Sequence, residues 1–270
     1  MEMKIRNLLL IFFCVLAACE ERLDIPLLSE DKDLLAVEGV LTNENISHTI
    51  TLTFPYQMMN SKAAPVSGAV VQILEGNSAT YTLTEAPAGS GQYVTPIFRA
   101  VFGTTYTLWI QYQGKEYFAQ DSSVPVEPLT ALDYYKVNDQ YSLAFNESGQ
   151  NASYIDHRID WTTTADCLSG NTCEGRIVFY DLKTIDVNEI YKPGKTDFLF
   201  PVNSTIIRKK YSVSSAYRTF LRSMLSETEW RGGLFDVERA NATTNLSTGA
   251  IGFFAVTTVV SDTTLVVEKP

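Results

Sequence analysis

Between residues 48 and 54, His48, Ile50, Leu52 and Phe54 alternate with Thr49, Thr51 and Thr53, the period of two that a half-buried strand requires. Tyr106, Leu108, Ile110 and Tyr112 alternate with Thr107 and Gln111 in the same way, which puts Trp109 on the face opposite Leu108 and Ile110. A short apolar run over 70–74 lies between them, behind the turn-like Pro65-Val66-Ser67-Gly68. Gln113-Gly114-Lys115 reads as a hairpin turn into a further strand over 116–119. Several short strands at this spacing, with no helical period among them, predict a β-sandwich over residues 34–124.

Pro125 and Pro128 interrupt the pattern; proline stiffens a crossing and cannot donate to a strand ladder, so 125–129 reads as a linker. The second half, 130–270, is again strand-rich, with strands expected over 154–163, 176–181, 205–213, 250–261 and 263–268. One segment changes period. Tyr217, Phe220, Leu221, Met224 and Leu225 fall at i, i+3, i+4, i+7 and i+8, an apolar stripe on a helix near 214–229. Ser214 or Ser215 is placed to cap its start, and Gly232-Gly233 to end it. The expected fold class is therefore mainly β: a sandwich, then a second β-rich domain carrying one amphipathic helix.

At the N-terminus a short apolar run over 8–16 follows Lys4 and Arg6 and leads into Leu16-Ala17-Ala18-Cys19. A membrane-spanning helix needs about 20 apolar residues, and Glu20, Glu21, Arg22 and Asp24 close the run too early. The pattern resembles a bacterial lipoprotein signal whose lipobox ends at the acylated cysteine. It implies a signal peptide over 1–18, lipidation at Cys19, a membrane partner through that lipid, and an acidic tether over 19–33.

Composition narrows the partners. A formal net charge of −10 argues against nucleic acid and against electrostatic docking on anionic lipid, and 45% hydrophobic content is ample for buried cores. Of the four cysteines, Cys14 leaves with the signal and Cys19 takes the lipid. Cys167 and Cys173 remain, an even pair that in an exported chain reads as a disulfide closing a tight loop. With two histidines, His48 and His157, and no second cysteine pair, a zinc site lacks ligands. No Asp-x-Asp-x-Asp run suggests calcium, and Arg231-Gly-Gly-Leu234 lacks the strand and lysine of a phosphate loop. No cofactor or metal is expected.

Catalytic patterns are equally thin. Ala88-Gly-Ser-Gly-Gln92 lacks the spacing of a nucleophile elbow. His48 and His157 fall in predicted strands, where a lone histidine is usually half-exposed. Asp156 and Asp160 share a strand face but lie roughly 13 Å apart at about 3.3 Å per residue, beyond the roughly 5–9.5 Å of paired glycosidase carboxylates. No catalytic residue is assigned. Binding finds more support in aromatics: Tyr134, Tyr135 and Tyr141 near the domain junction, and Trp109 on its outward face. Such aromatics stack on glycans, anchor a protein, or fill an interdomain seam. Arg208-Lys209-Lys210 reads as an edge or solvent-facing charge run that blocks strand addition.

The order of landmarks resembles a lipoprotein family of Bacteroidetes, the domain of unknown function 4249. The resemblance runs through the lipobox, Val37-Glu38-Gly39-Val40-Leu41-Thr42, Pro65-Val66-Ser67-Gly68-Ala69-Val70-Val71, Gly91-Gln92-Tyr93, and Phe102-Gly103-Thr104-Thr105-Tyr106-Thr107-Leu108. It continues through the helix around Tyr217 and Leu225, Thr244-Asn245-Leu246, and Gly249-Ala250-Ile251-Gly252-Phe253-Phe254. The first half is also similar to Ig-like and transthyretin-like, carboxypeptidase-regulatory-like sandwiches. The resemblance implies an outer-membrane lipoprotein without established activity, acting as a binding or accessory module beside a TonB-dependent transporter. A secreted hydrolase or carbohydrate-active enzyme with a site built across strands, and a passive spacer or adhesin, remain as alternatives.

Overall fold

The alternations in the sequence become strands whose apolar members face inward: in β2 (Thr49–Thr53) Ile50 and Leu52 are fully buried, as are Tyr106, Leu108 and Ile110 in β7 (Thr105–Tyr112). Each such side chain contributes about 1.5–3 kcal/mol on leaving water. The computed structural model describes residues 34–56, 62–145, 149–167, 172–183, 198–228 and 242–269. The expected signal peptide over 1–18, Cys19, the tether over 19–33 and the Gly232-Gly233 stop lie outside the described residues.

The first half also contains β1 (Leu35–Thr42), β3 (Val70–Glu75), β4 (Ala79–Thr82), β5 (Thr84–Glu85), β6 (Gln92–Val94) and β8 (Lys115–Ser122). β7 and β8 form a hairpin through Gln113 and Gly114, both with positive φ, as a two-residue turn matching strand twist requires. The second half contains β9 (Asp133–Val137), β10 (Gln140–Ala144), β11 (Ser153–Asp160), β12 (Glu174–Asp181), β13 (Thr205–Ser212), α1 (Ser215–Thr228), β14 (Ala250–Thr257) and β15 (Val259–Leu265). The protein is mainly β, with one helix among the described residues.

Two sheets, β14-β1-β2-β6-β5 and β4-β3-β7-β8, face each other over one core that includes Val37, Leu52, Ile73 and Leu108. A third sheet, β12-β11-β13-β15, and the β9–β10 hairpin enclose a second core around Ile159, Phe200 and Ile206.

The division at 125–129 needs correction. β14, from the far end of the sequence, pairs in parallel with β1 along its whole length, Leu35 opposite Ala250 through Thr42 opposite Thr257. The sandwich is therefore not contained within 34–124. β14 is buried on both faces: Phe254 and Val256 enter the sandwich core, while Phe253 and Ala255 meet α1. Gly252 carries φ +96 and its backbone lies so close to the Val37 carbonyl that a Cβ there would collide with it. The strand expected over 250–261 breaks at Thr258, where the chain crosses from the sandwich to the third sheet; Thr258 and Ser212 exchange hydrogen bonds at the crossing.

The charge triplet also differs from expectation. β13 is an interior strand, and Arg208 and Lys210 are only 3% and 2% exposed. Arg208 forks onto Asp262 and donates to the Thr130 carbonyl at 2.8 Å. Lys209, on the opposite face, reaches Glu44 in the sandwich at 2.7 Å. Arg208 and Lys209 clamp neighbouring segments, and a buried cation such as Arg208 needs its partners to offset lost hydration.

α1 begins at Ser214, whose Oγ accepts from the Tyr217 N–H at 3.2 Å, the N-cap arrangement. Its stripe of Tyr217, Leu221 and Leu225 packs on β14 and on Tyr154 and Tyr180 of the third sheet. Cys167 and Cys173 form a disulfide with Cα atoms 5.7 Å apart.

Candidate functional site

The sequence candidates separate. Tyr134 and Tyr141 are buried in the second core at 5.6 Å, edge to face, rather than presented for binding. Their hydroxyls hold the segment after β15: Tyr134 exchanges hydrogen bonds with Val267, and Tyr141 accepts from the Lys269 N–H at 3.2 Å. The Lys269 ammonium lies 3.9 Å over the Tyr134 ring. Alternation in β9 sends Tyr135 outward, where it is exposed.

Neither histidine is half-exposed; both are 3% exposed. His48 packs on Phe98 and bonds Thr42 through Nε2. His157 lines a cavity of about 20 Å³ with Arg208, Phe145, Phe179 and Leu132, room for about one water. Its Nδ1 has no hydrogen-bond partner among the described residues. Burial holds its pKa below the usual histidine value, against a backbone hydrogen bond to Ile177 that favours the charged form.

Asp156, next in the chain, faces the other side of the sheet. It is 3% exposed and takes Arg176 Nε at 2.8 Å and Arg158 Nε at 3.6 Å. Register places the two arginines directly opposite each other. The bond to Asp156 raises the Arg176 pKa further. Asp160 is exposed and engaged by the Thr162 N–H and hydroxyl, which lower its pKa. Strand alternation thus keeps Asp156 and His157 apart on opposite faces. Among the described residues no group of three or more His, Cys, Asp or Glu side chains could hold a metal ion.

Trp109 stands differently. It projects from the outer face of the β4-β3-β7-β8 sheet, directly opposite Phe118 on β8 and Gln72 on β3. Phe118 is 43% exposed. The same row ends in Thr82, opposite Gln72, and flanking rows carry Gln111, Thr107 and Gln120. Gln72 and Gln120 donate to Thr82 and Thr107 at 3.3 and 3.0 Å. Those bonds engage one of the two N–H donors of each amide. Sequence reasoning found Trp109 by alternation but missed Phe118, whose position opposite Trp109 depends on the hairpin register.

The surface lies near Leu35 at the start of β1. Phe118 and Ser247 exchange hydrogen bonds at 3.0 and 2.8 Å, and Leu35 at the start of β1 donates to the Gly249 carbonyl at 3.0 Å.

Residues 20–263 match the family described as a domain of unknown function, DUF4249. The chain belongs to the DUF4249 family. The DUF4249 match spans both cores and the β1–β14 pair that joins them. No curated protein matches the chain. One chain of a solved cytokine receptor complex aligns at 12% identity over 67% of this chain and 85% of that one, with a TM-score of 0.22. At that score the likeness carries no argument.

Proposed function

We propose that this DUF4249 protein is a lipid-anchored binding or accessory module of the cell envelope, of the Bacteroidetes lipoprotein type, working beside a TonB-dependent outer-membrane transporter. Its first unit is taken as a transthyretin-like sandwich, and Cys19 as its lipid attachment. The observation that carries this reading is the outward Trp109–Phe118 pair, Phe118 exposed and Trp109 half-buried, set on a clamped scaffold close to where the tether joins at Leu35. A rigid sheet presents side chains with more precision than a loop, and exposed aromatics on such a face are suited to binding. Anchoring raises the local concentration of that face at the membrane, so modest affinity suffices.

Gentle detergent extraction of the native protein tests this. The expected result is co-purification of a membrane β-barrel, and loss of membrane association in the Cys19→Ser variant. Recovery of the wild-type protein as a lone monomer in several mild detergents overturns the partnership.

A further inference from the structure

We infer that the outer face of the β4-β3-β7-β8 sheet binds a neutral oligosaccharide, with Trp109 and Phe118 as stacking platforms. This rests on the binding-module reading above and names the ligand class for its surface.

The chemistry of the face selects the ligand. Its central row runs Thr82, Gln72, Trp109, Phe118 across four strands. The flanking rows contribute Thr80, Leu74, Thr107 and Gln120 on one side, and Val70, Gln111 and Glu116 on the other. Eleven positions thus hold one charged residue, Glu116, at the border. A sugar ring offers just this combination: an apolar C–H face to lie on an aromatic ring, and hydroxyls around its edge. Those hydroxyls donate to the carbonyl oxygens of Gln72 and Gln120, whose amides are each held by one N–H on Thr82 and Thr107 and keep a second N–H for a sugar oxygen. Gln111 is exposed beside them and carries a further amide. An anionic glycan would meet no cation on this face, and a cationic ligand would meet only Glu116.

Size decides between a glycan and a protein. Four strands about 4.8 Å apart, read over about five residues of about 3.3 Å, give a face of roughly 300 Å². A stable protein interface needs about 800 Å² per partner. The long dimension, roughly 19 Å, suits three to four sugar units.

Tetrasaccharides built from glucose, mannose, xylose or galactose serve as the probes, titrated into the full mature chain while the indole N–H resonance of each tryptophan is followed. The expected result is a saturable shift of the Trp109 resonance with at least one of them, and binding at least about tenfold weaker for the corresponding monosaccharide. Trp109→Ala and Phe118→Ala each weaken binding by at least about tenfold, while Trp109→Phe retains part of it. Mapping on the wild-type chain needs no variant to fold. No saturable shift of the Trp109 resonance with any of the four, or calorimetric binding of the same tetrasaccharide left unchanged in Trp109→Ala, overturns the inference. Failure here with the β-barrel still co-purifying removes only the glycan. If Trp109→Ala releases the barrel and no saccharide binds, the face is a protein contact and the inference falls while the accessory role stands.

Discussion

The Lys209 ammonium lies 2.7 Å from the Glu44 carboxylate, joining an interior strand of the third sheet to the β1–β2 loop of the sandwich. With about 31% and 27% of the two side chains exposed, the pair is neither fully hydrated nor sealed. Lys209→Met and Glu44→Gln should each lower stability, and a double-mutant cycle in urea should give a coupling of about 1 kcal/mol. A coupling near zero would remove this ion pair from what holds the third sheet to the sandwich.

Gly252 tests that strand. Alanine there meets both an unfavourable positive φ and the Val37 carbonyl. Gly252→Ala should cost about 2–4 kcal/mol, seen as a lower urea midpoint. A change below about 0.5 kcal/mol would show that the parallel pair relaxes without consequence.

Ser214 caps α1 and lies 3.4 Å from Asp121. Ser214→Ala should lose about 1 kcal/mol. Asn and Asp are ordinarily equal as caps, but Asp121 makes them unequal here: Ser214→Asn should be tolerated while Ser214→Asp is destabilising. Thermal unfolding of the three variants orders them, and equal midpoints for Asn and Asp would remove Asp121 from the account.

Asp121 accepts the Val256 N–H at 2.9 Å, and burial raises its pKa above the ordinary 3.8. The folded state therefore holds this proton more tightly than the unfolded chain. Its contribution to stability is full below pH 3.8 and is lost as pH rises through the folded value. Asp121→Asn keeps an acceptor for Val256 without the charge. The variant should gain on the wild type as pH rises from 4 toward 7, whereas Asp121→Ala should cost about 1–3 kcal/mol through the unpaired N–H. Parallel stability curves for Asn and wild type would place the titration elsewhere.

Much of the local structure was legible. The period of two at Ile50 and Leu52 and at Leu108 and Ile110 marked buried faces, and the period of 3.6 from Tyr217 to Leu225 marked the helix face. Cys167 and Cys173 paired as their spacing suggested. The β9–β10 hairpin went unread: Tyr134, Tyr135 and Tyr141 carried an aromatic signal, and only packing shows that two of them are core. Arg208 and Lys210 misled because a charge run normally belongs in water. The burial of Arg208 depends on Asp262 and the Thr130 carbonyl, groups distant in sequence from β13.

Side-chain periodicity is a property of neighbouring residues, so inward and outward faces, the Gln113-Gly114 turn and the helix were written in the chain itself. Which strand lies beside which is settled by contacts between distant segments. The parallel pairing of β14 with β1, the meeting of Trp109 with Phe118, and the partners of Arg208 and Lys209 were therefore decided by the tertiary structure. A strand's alternation states which face must be buried but not which surface buries it, and the same apolar face satisfies many partners until register, close approach at Gly252 and compensation of buried charge leave one.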